Sequence, residues 1–284
     1  MSHSTIRAMP SSFDSISKRN FDKLAKFIYA YSGIKMPPSK LTMLEGRLRR
    51  RLRATGLPTF DSYCDYLFNQ GGLDFEAVYL IDAVTTNKTD FFREPNHFTY
   101  MVNHALPELT RRGVRSIRAW SAACSTGAEP YTMAMLLNEY AEQENLDYTI
   151  LATDLSTEVL RTAHLGIYPE ELVDPVPSEL RKKYVMRAVQ KDRNEVRIVP
   201  KLRSKIAFGR LNLMDDKYAI GDPVHLIFCR NVMIYFDKTT QQAVLSRLCE
   251  CLLPGGYLFI GHSETVSGYD LPLKTVANTV FQRT

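Results

Sequence analysis

The sequence predicts an all-helical region over residues 1–85, followed by an α/β region over residues 86–284 built on a mostly parallel sheet. Three observations lead there. Up to residue 85, apolar side chains recur at helical spacing (Phe21, Leu24, Phe27, Ile28 and Tyr31; Phe60, Tyr63 and Leu67; Phe75, Val78 and Tyr79), with breaks at Gly33, "TGLP" and "QGG". Beyond residue 115, short apolar runs alternate with helix-periodic ones. Between them, "IRAWSAACSTGAEPYTMAM" (117–135) passes from a strand-like run through tiny residues into a helix whose first turn carries Glu129 and Pro130.

In the first region, "SKLTMLEGRLRRRLRATGL" (39–57) reads as a helix that Ser39 can cap and Gly56 can end. Leu41, Leu44, Leu48 and Leu52 share a stripe roughly 80° wide. Arg47, Arg49, Arg50, Arg51 and Arg53 cover most of the remaining circumference. Residues 1–60 hold twelve basic against three acidic side chains, a surplus of nine in a chain whose net charge is +5. Such a face is either solvated or docks something acidic, a nucleic acid backbone or a carboxylate-rich protein helix.

In the second region the expected strands are "SIRAW" (116–120), "YTILATD" (148–154), "IAFGRLN" (206–212), "VHLIFCRN" (224–231), "GYLFIGH" (256–262) and a last, antiparallel "TVFQR" (279–283). One interval breaks the rhythm. In "YVMRAVQKDRNEVRIVP" two β-rich runs flank the polar "QKDRN", a hairpin signal, so residues 169–205 read as an insertion bearing a small antiparallel sheet.

Composition bounds the function. At 45% hydrophobic and 24% charged residues, the chain can bury a sizeable core. No apolar run approaches the roughly 20 residues of a membrane span, and "MSHSTIRAMP" lacks the apolar centre of a signal peptide, so a cytoplasmic protein is expected. The odd, scattered set Cys64, Cys124, Cys229, Cys249 and Cys251 suits free thiols in a reducing compartment. No histidine lies at ligand spacing from the cysteine pair 249/251, and no metal is expected, although His262 is a residue to watch.

The 121–127 loop follows a strand and opens a helix, as the phosphate loop of a dinucleotide fold does, but of the GxGxxG glycines only Gly127 is present. A pyrophosphate does not suit it. Asp154 ends the second strand, where an acid can accept from both hydroxyls of a ribose, and Glu129 can accept from an amine or hold a cation. A ribose, an adenine and a cationic, amine-bearing tail together describe S-adenosylmethionine.

Four segments, "TTNKTDFFRE" (85–94), "WSAACSTGAEPYTMAM" (120–135), "LATDLSTEVLRTA" (151–163) and "IFCRNVMIYFD" (227–237), occur in an order and at separations that resemble the chemotaxis receptor methyltransferase family, CheR. The resemblance runs from about residue 12 to the end. It implies a Rossmann-like class I S-adenosylmethionine-dependent methyltransferase domain with an inserted β-subdomain, preceded by a helical domain. It also implies methyl transfer to glutamate carboxylates on chemoreceptor helices, leaving S-adenosylhomocysteine, by a monomer that neither enters the membrane nor binds nucleic acid. Cofactor contacts fall by match on Asn87, Thr89, Arg93, Glu129, Asp154, Asn212, Leu213, Arg230 and Asn231, and the aromatic hydroxyl near the transferred methyl on Tyr235. Arg93 and Tyr235 become the expected catalytic pair, with a salt bridge to Glu94 or Glu129 and a core tyrosine as their structural alternatives. Arg47, Arg49, Arg50 and Arg53 become the expected docking face for the receptor. One departure is Ala128, where the family's loop reads G-E-E-P. Many members also bind a receptor's C-terminal peptide along the β-subdomain; their hairpin tips often contain glycine, and this one contains none.

A nucleic-acid methyltransferase directed at amino groups would show Pro-Pro-aromatic after the fourth strand, where this chain reads Val232, Met233 and Ile234. A non-enzymatic, cofactor-binding adaptor would show a damaged site, and none is visible.

Overall fold

The computed structural model describes residues 14–190 and 193–284; the first thirteen residues and the hairpin positions Lys191 and Asp192 lie outside the described residues. The described residues divide into two compact units, one ending at Thr86 and one running from Asn87 to Thr284.

The first unit contains α1 (Lys18–Ser32), α2 (Leu41–Thr55), α3 (Phe60–Asn69) and α4 (Leu73–Val84). Their ends follow from local chemistry. Ser17 accepts from the Asn20 N–H to start α1, and Thr59 and Ser62 form a reciprocal capping box on α3. Gly33 and Gly56, both at φ 72°, close α1 and α2 in the left-handed region, where a Cβ would be strained. Ser39 does not cap α2 as expected: it sits within a 3₁₀ turn, Pro38–Lys40, that leads straight into the helix, so no side-chain oxygen is aimed at the first free N–H groups. Leu44, Leu48 and Leu52 are fully buried, as their shared stripe requires, and Leu41 is half-buried.

The second unit is a seven-stranded sheet in the order β6-β2-β1-β7-β8-β10-β9, covered on both faces. The strands are β1 (Ser116–Ala122), β2 (Asp147–Asp154), β6 (Ile206–Arg210), β7 (Val224–Cys229), β8 (Leu252–Ile260), β9 (Leu273–Ala277) and β10 (Val280–Arg283). The five from β6 to β8 in that order are parallel, and β10 runs antiparallel between β8 and β9. Strand β9 carries no run of buried residues to announce it, being an edge, and the sequence alone does not reveal it. Successive side chains alternate between two cores: Ile117, Ala119, Leu226 and Phe228 on one face, Trp120, Ala122, Ile227 and Cys229 on the other.

Helices α5 (Pro95–Tyr100) and α6 (Leu106–Arg111) precede the sheet, and α7 (Ala128–Glu144), α8 (Thr157–Leu165), α9 (Ser178–Tyr184), α10 (Pro200–Arg203) and α11 (Lys238–Cys251) connect its strands. The insertion holds the expected hairpin, β4 (Val185–Arg187) and β5 (Glu195–Ile198), plus a third strand, β3 (Ile167–Pro169), that begins just before the expected boundary and pairs with β5. All five cysteines are free, four of them buried. No helix among the described residues is long and apolar enough to cross a membrane.

Candidate active site

Strand order reverses at β1, whose neighbours β2 and β7 connect to opposite sides, and ligands bind open α/β sheets at the carboxyl end of such a switch. Three chain segments meet the β1–α7 loop there. Asp154, at the end of β2, is buried, and its carboxylate accepts from the backbone N–H of Ser125 at 2.8 Å and of Ser156 at 2.9 Å. The Ser125 hydroxyl donates to the Asn87 carbonyl at 2.7 Å, which holds the "TTNKTDFFRE" segment against the loop. Gly127, at φ 95°, is required twice over, because a Cβ there would come within 2.9 Å of both Ala163 Cβ and the Tyr168 hydroxyl.

The charged centre of the site is Arg230, just beyond β7, with only 2% of its side chain exposed. Its Nη2 donates to Glu94 Oε2 at 2.9 Å and to the Arg93 carbonyl, its Nε to the same Glu94 oxygen at 3.3 Å, and its Nη1 to Glu129 Oε2 at 3.1 Å. The guanidinium also lies over the Phe98 and Phe228 rings, 5.3 and 5.9 Å from their centroids. Glu94 Oε1 accepts from Asn231 Nδ2 at 3.1 Å and from the His262 N–H at 3.2 Å, and Glu129 Oε1 accepts from the Ser121 hydroxyl at 2.7 Å. Burial alone would raise the Glu94 carboxyl, but the hydrogen bonds from Asn231 and Arg230 and the guanidinium charge outweigh it and hold the group at about 2. For Glu129 burial prevails over the nearby charge of Arg230 and raises the carboxyl. Burial lowers His97 to about 4, and Arg230 acts in the same direction.

Asn231 has φ 58°, and a second acid holds it there. Glu264 is buried and accepts from the N–H groups of Asn231 (3.0 Å), Met233 (2.8 Å) and Gly261 (2.6 Å). A Cβ on Gly261 would lie 2.6 Å from Asn231 Nδ2 and 2.8 Å from its backbone nitrogen, so only glycine admits this clasp. The clasp fixes the 3₁₀ turn Met233–Tyr235, which leaves Tyr235 half-buried. Of the seven non-glycine residues with positive φ among the described residues, five (Phe92, Glu94, Ala123, Ser125 and Asn231) belong to these segments. Backbone strain of that kind persists only where surrounding bonds over-determine it, as they do here.

The residues expected at the site divide accordingly. Asn87 and Asp154 meet through Ser125, and Glu129, Arg230 and Asn231 meet around Glu94. Arg230 differs from expectation: each of its three guanidinium nitrogens already has an acceptor inside the protein, so it is a strut between Glu94 and Glu129. The carboxylates that might have paired with Arg93 are thereby taken, and Arg93 donates to the Lys88 carbonyl at 3.1 Å and makes no ion pair among the described residues. Thr89 is half-buried in the same segment. Asn212 and Leu213 fall two and three residues past β6; Asn212 Oδ1 accepts from the Met214 N–H at 3.0 Å, and Leu213 is buried, its carbonyl accepting from the Tyr218 hydroxyl at 2.8 Å.

On α2, two of the four arginines expected to dock a partner are internal. Arg47 donates to the Val84, Thr85 and Thr86 oxygens at the end of α4, and Arg49 donates to the Asp14 carbonyl at 3.0 Å while covering the Phe60 ring. Helix ends leave carbonyls without intrahelical donors, and a long guanidinium reaches them readily. Arg50 and Arg53 remain exposed.

Sequence reasoning did not single out Glu94 as a hub, or Ser125, Ser156, Gly261 and Glu264. A signal for the last pair exists: a glycine at the end of "GYLFIGH" and an acid three residues later sit at the same sheet edge as Asp154 and Arg230. Glu94, His97 and His262 could offer three ligand atoms within 4.8 Å of one another, but the Arg230 guanidinium bonded to Glu94 Oε2 opposes a cation there.

A class I nucleoside-binding methyltransferase is what this sheet order and loop define. Residues 87–281 match the CheR methyltransferase SAM-binding domain, and residues 19–85 match the CheR methyltransferase all-alpha domain. The chain is 40% identical over 259 residues to a chemotaxis protein methyltransferase of Borreliella burgdorferi, covering 89% of this chain and 90% of that one. It is 40% identical over 268 residues to that of Escherichia coli (94% and 91% covered) and 37% identical over 265 residues to chemotaxis protein methyltransferase 2 of Pseudomonas aeruginosa (93% and 93%). The chain belongs to the CheR methyltransferase family, and its cofactor is S-adenosylmethionine. The site offers acceptors of the kind that molecule's hydroxyls and amine can use: the Asp154 carboxylate, anchored by two backbone N–H groups, and the half-buried Glu129 carboxylate.

Proposed function

We propose that this chain esterifies the side-chain carboxylates of particular glutamates on the cytoplasmic helices of chemoreceptors. The observation that carries the reading is the arrangement of charge: Glu129 and Asp154 flank one loop, while the Arg93 guanidinium, a few residues along the segment tied to that loop, has no carboxylate partner among the described residues. S-adenosylmethionine supplies a methyl group activated by its sulfonium. Asp154 holds ribose hydroxyls, Glu129 the amine of the methionine tail, and Asn87, Thr89, Asn212, Leu213 and Asn231 line the remaining contacts. A glutamate acceptor, with a reference pKa near about 4.3, is already ionised at neutral pH, so the protein supplies orientation in place of a general base. Arg93 orients the acceptor carboxylate by paired N–H donors, and the Tyr235 hydroxyl or ring borders the reacting centre.

Arg50 and Arg53 are the docking residues of α2 for an acidic receptor helix. The β4 edge of the small sheet, with Met186 exposed, offers a strand-addition surface to a receptor C-terminal peptide. The protein works as a cytoplasmic monomer. Incubation with methyl-labelled cofactor and either receptor-bearing membranes or RNA tests the reading: label should enter a base-labile ester on the receptor, and label in RNA or in a base-stable product would overturn it.

A further inference from the structure

The turn that carries Tyr235 is gripped from both sides by side chains of other segments. On the N–H side, Glu264 Oε2 accepts from Asn231 at 3.0 Å and from Gly261 at 2.6 Å, and its Oε1 accepts from Met233, the first residue of the 3₁₀ turn, at 2.8 Å. On the carbonyl side, Gln241 Nε2, from the start of α11, donates to the Met233 carbonyl at 2.9 Å and to the Phe236 carbonyl at 3.2 Å. Gln241 is itself seated, its Oε1 accepting from the Tyr269 hydroxyl at 2.8 Å. Met233 and Phe236, on either side of Tyr235, are buried in the core around Trp120, whereas Ile234 is exposed. Apolar burial has no direction, so these two anchors fix the depth of the turn and not its heading. Hydrogen bonds are directional, and those from Glu264 and Gln241 set the direction in which Tyr235 leaves the turn.

We propose that Glu264 and Gln241 are positioning residues for methyl transfer, acting through Tyr235, whose ring and hydroxyl they aim at the reacting centre. The inference rests on the reading of Tyr235 as a residue that borders that centre. Transfer between two oriented reactants is sensitive to misplacements of about 1 Å, so loosening the turn lowers turnover. The cofactor loop is untouched by this, because it is tied through Ser125 to Asp154 and Asn87.

Glu264→Gln is the selective perturbation. Its one oxygen can still serve Asn231 and Gly261, while its NH₂ faces the Met233 N–H donor to donor, so the Met233 end of the clasp is released. With receptor-bearing membranes and methyl-labelled cofactor both saturating, its turnover should fall roughly 10- to 100-fold, and Gln241→Met should lower turnover in the same direction. The KM for receptor, and S-adenosylhomocysteine affinity by calorimetry, should each stay within about threefold. In a Tyr235→Ala background, itself slow, Glu264→Gln and Gln241→Met should each cost less than about twofold more, because the group they position is gone. A purely structural role would give the same fractional loss in both backgrounds, and that result would overturn the proposal, as would undiminished turnover in Glu264→Gln or equal losses of turnover and affinity. Should Glu264→Gln lack a cooperative thermal transition, Gln241→Met carries the same cycle from the carbonyl side, and additive losses there overturn it equally. Wild-type turnover in Tyr235→Ala would sink the reading of Tyr235 and this proposal with it, whereas additive losses beside a slow Tyr235→Ala would sink only the proposal.

Discussion

Replacing Asp154 with Ala removes more than a ribose contact. The carboxylate is the acceptor for two buried backbone donors, Ser125 N–H and Ser156 N–H, one on the cofactor loop and one at the start of α8. Leaving two buried N–H groups without an acceptor costs about 1–3 kcal/mol each. Water entering the vacated volume should recover part of this, so a net loss of about 2–3 kcal/mol is expected. For a unit of this size that lowers the melting temperature of the ligand-free chain by roughly 4–12 °C. The ribose hydroxyls lose hydrogen bonds to a charged group worth about 1.5–3 kcal/mol, so S-adenosylhomocysteine affinity should fall roughly 10- to 150-fold. Asp154→Asn separates the two effects. Its one oxygen can serve only one of the two N–H groups while its NH₂ faces the other as a second donor, so it should lose thermal stability as well as affinity. Calorimetry and thermal melts on both variants measure this, and wild-type affinity in Asp154→Ala would refute the placement of the ribose.

Arg93→Ala should lower turnover far more than S-adenosylhomocysteine affinity, because its proposed partner is the acceptor carboxylate; equal losses in the two would make it a cofactor residue only. Replacing Arg50 and Arg53 together with Ala should slow methylation of intact receptors at low salt and flatten its salt dependence, with cofactor affinity unchanged; a wild-type rate at low salt returns α2 to a solvated face. His97 gives a pH dependence. Its pKa falls from an ordinary 6.5 to about 4 in the folded chain, so between those values only the unfolded chain takes up the proton; its stabilising contribution is complete above about pH 6.5 and is lost as pH falls toward 4. The full effect is about 3 kcal/mol, and His97→Gln should flatten that part of the urea-unfolding curve; an unaltered slope would show that other groups govern it.

Features that depend on near neighbours and on periodicity are legible in the amino-acid order. Strands of a parallel sheet buried on both faces read as continuous apolar runs, and β1, β2 and β7 were legible for that reason, as were the glycine-ended helices and the hairpin of the insertion. Motif order identified the family and nominated Asp154, Glu129 and Arg93. The tertiary structure decided how charges are paired, because each pair joins segments far apart in sequence. Arg230 is 136 residues from Glu94 and 101 from Glu129, and no local pattern says that it, and not Arg93, takes both carboxylates. The same holds for α2, where five arginines on one helix are alike in the sequence but not in the fold. Arg47 and Arg49 end on backbone carbonyls about 35 residues or more away, Arg51 ends on Glu76, and Arg50 and Arg53 stay in water. Long side chains go where an unsatisfied acceptor lies within reach, and only the packed chain brings those acceptors near.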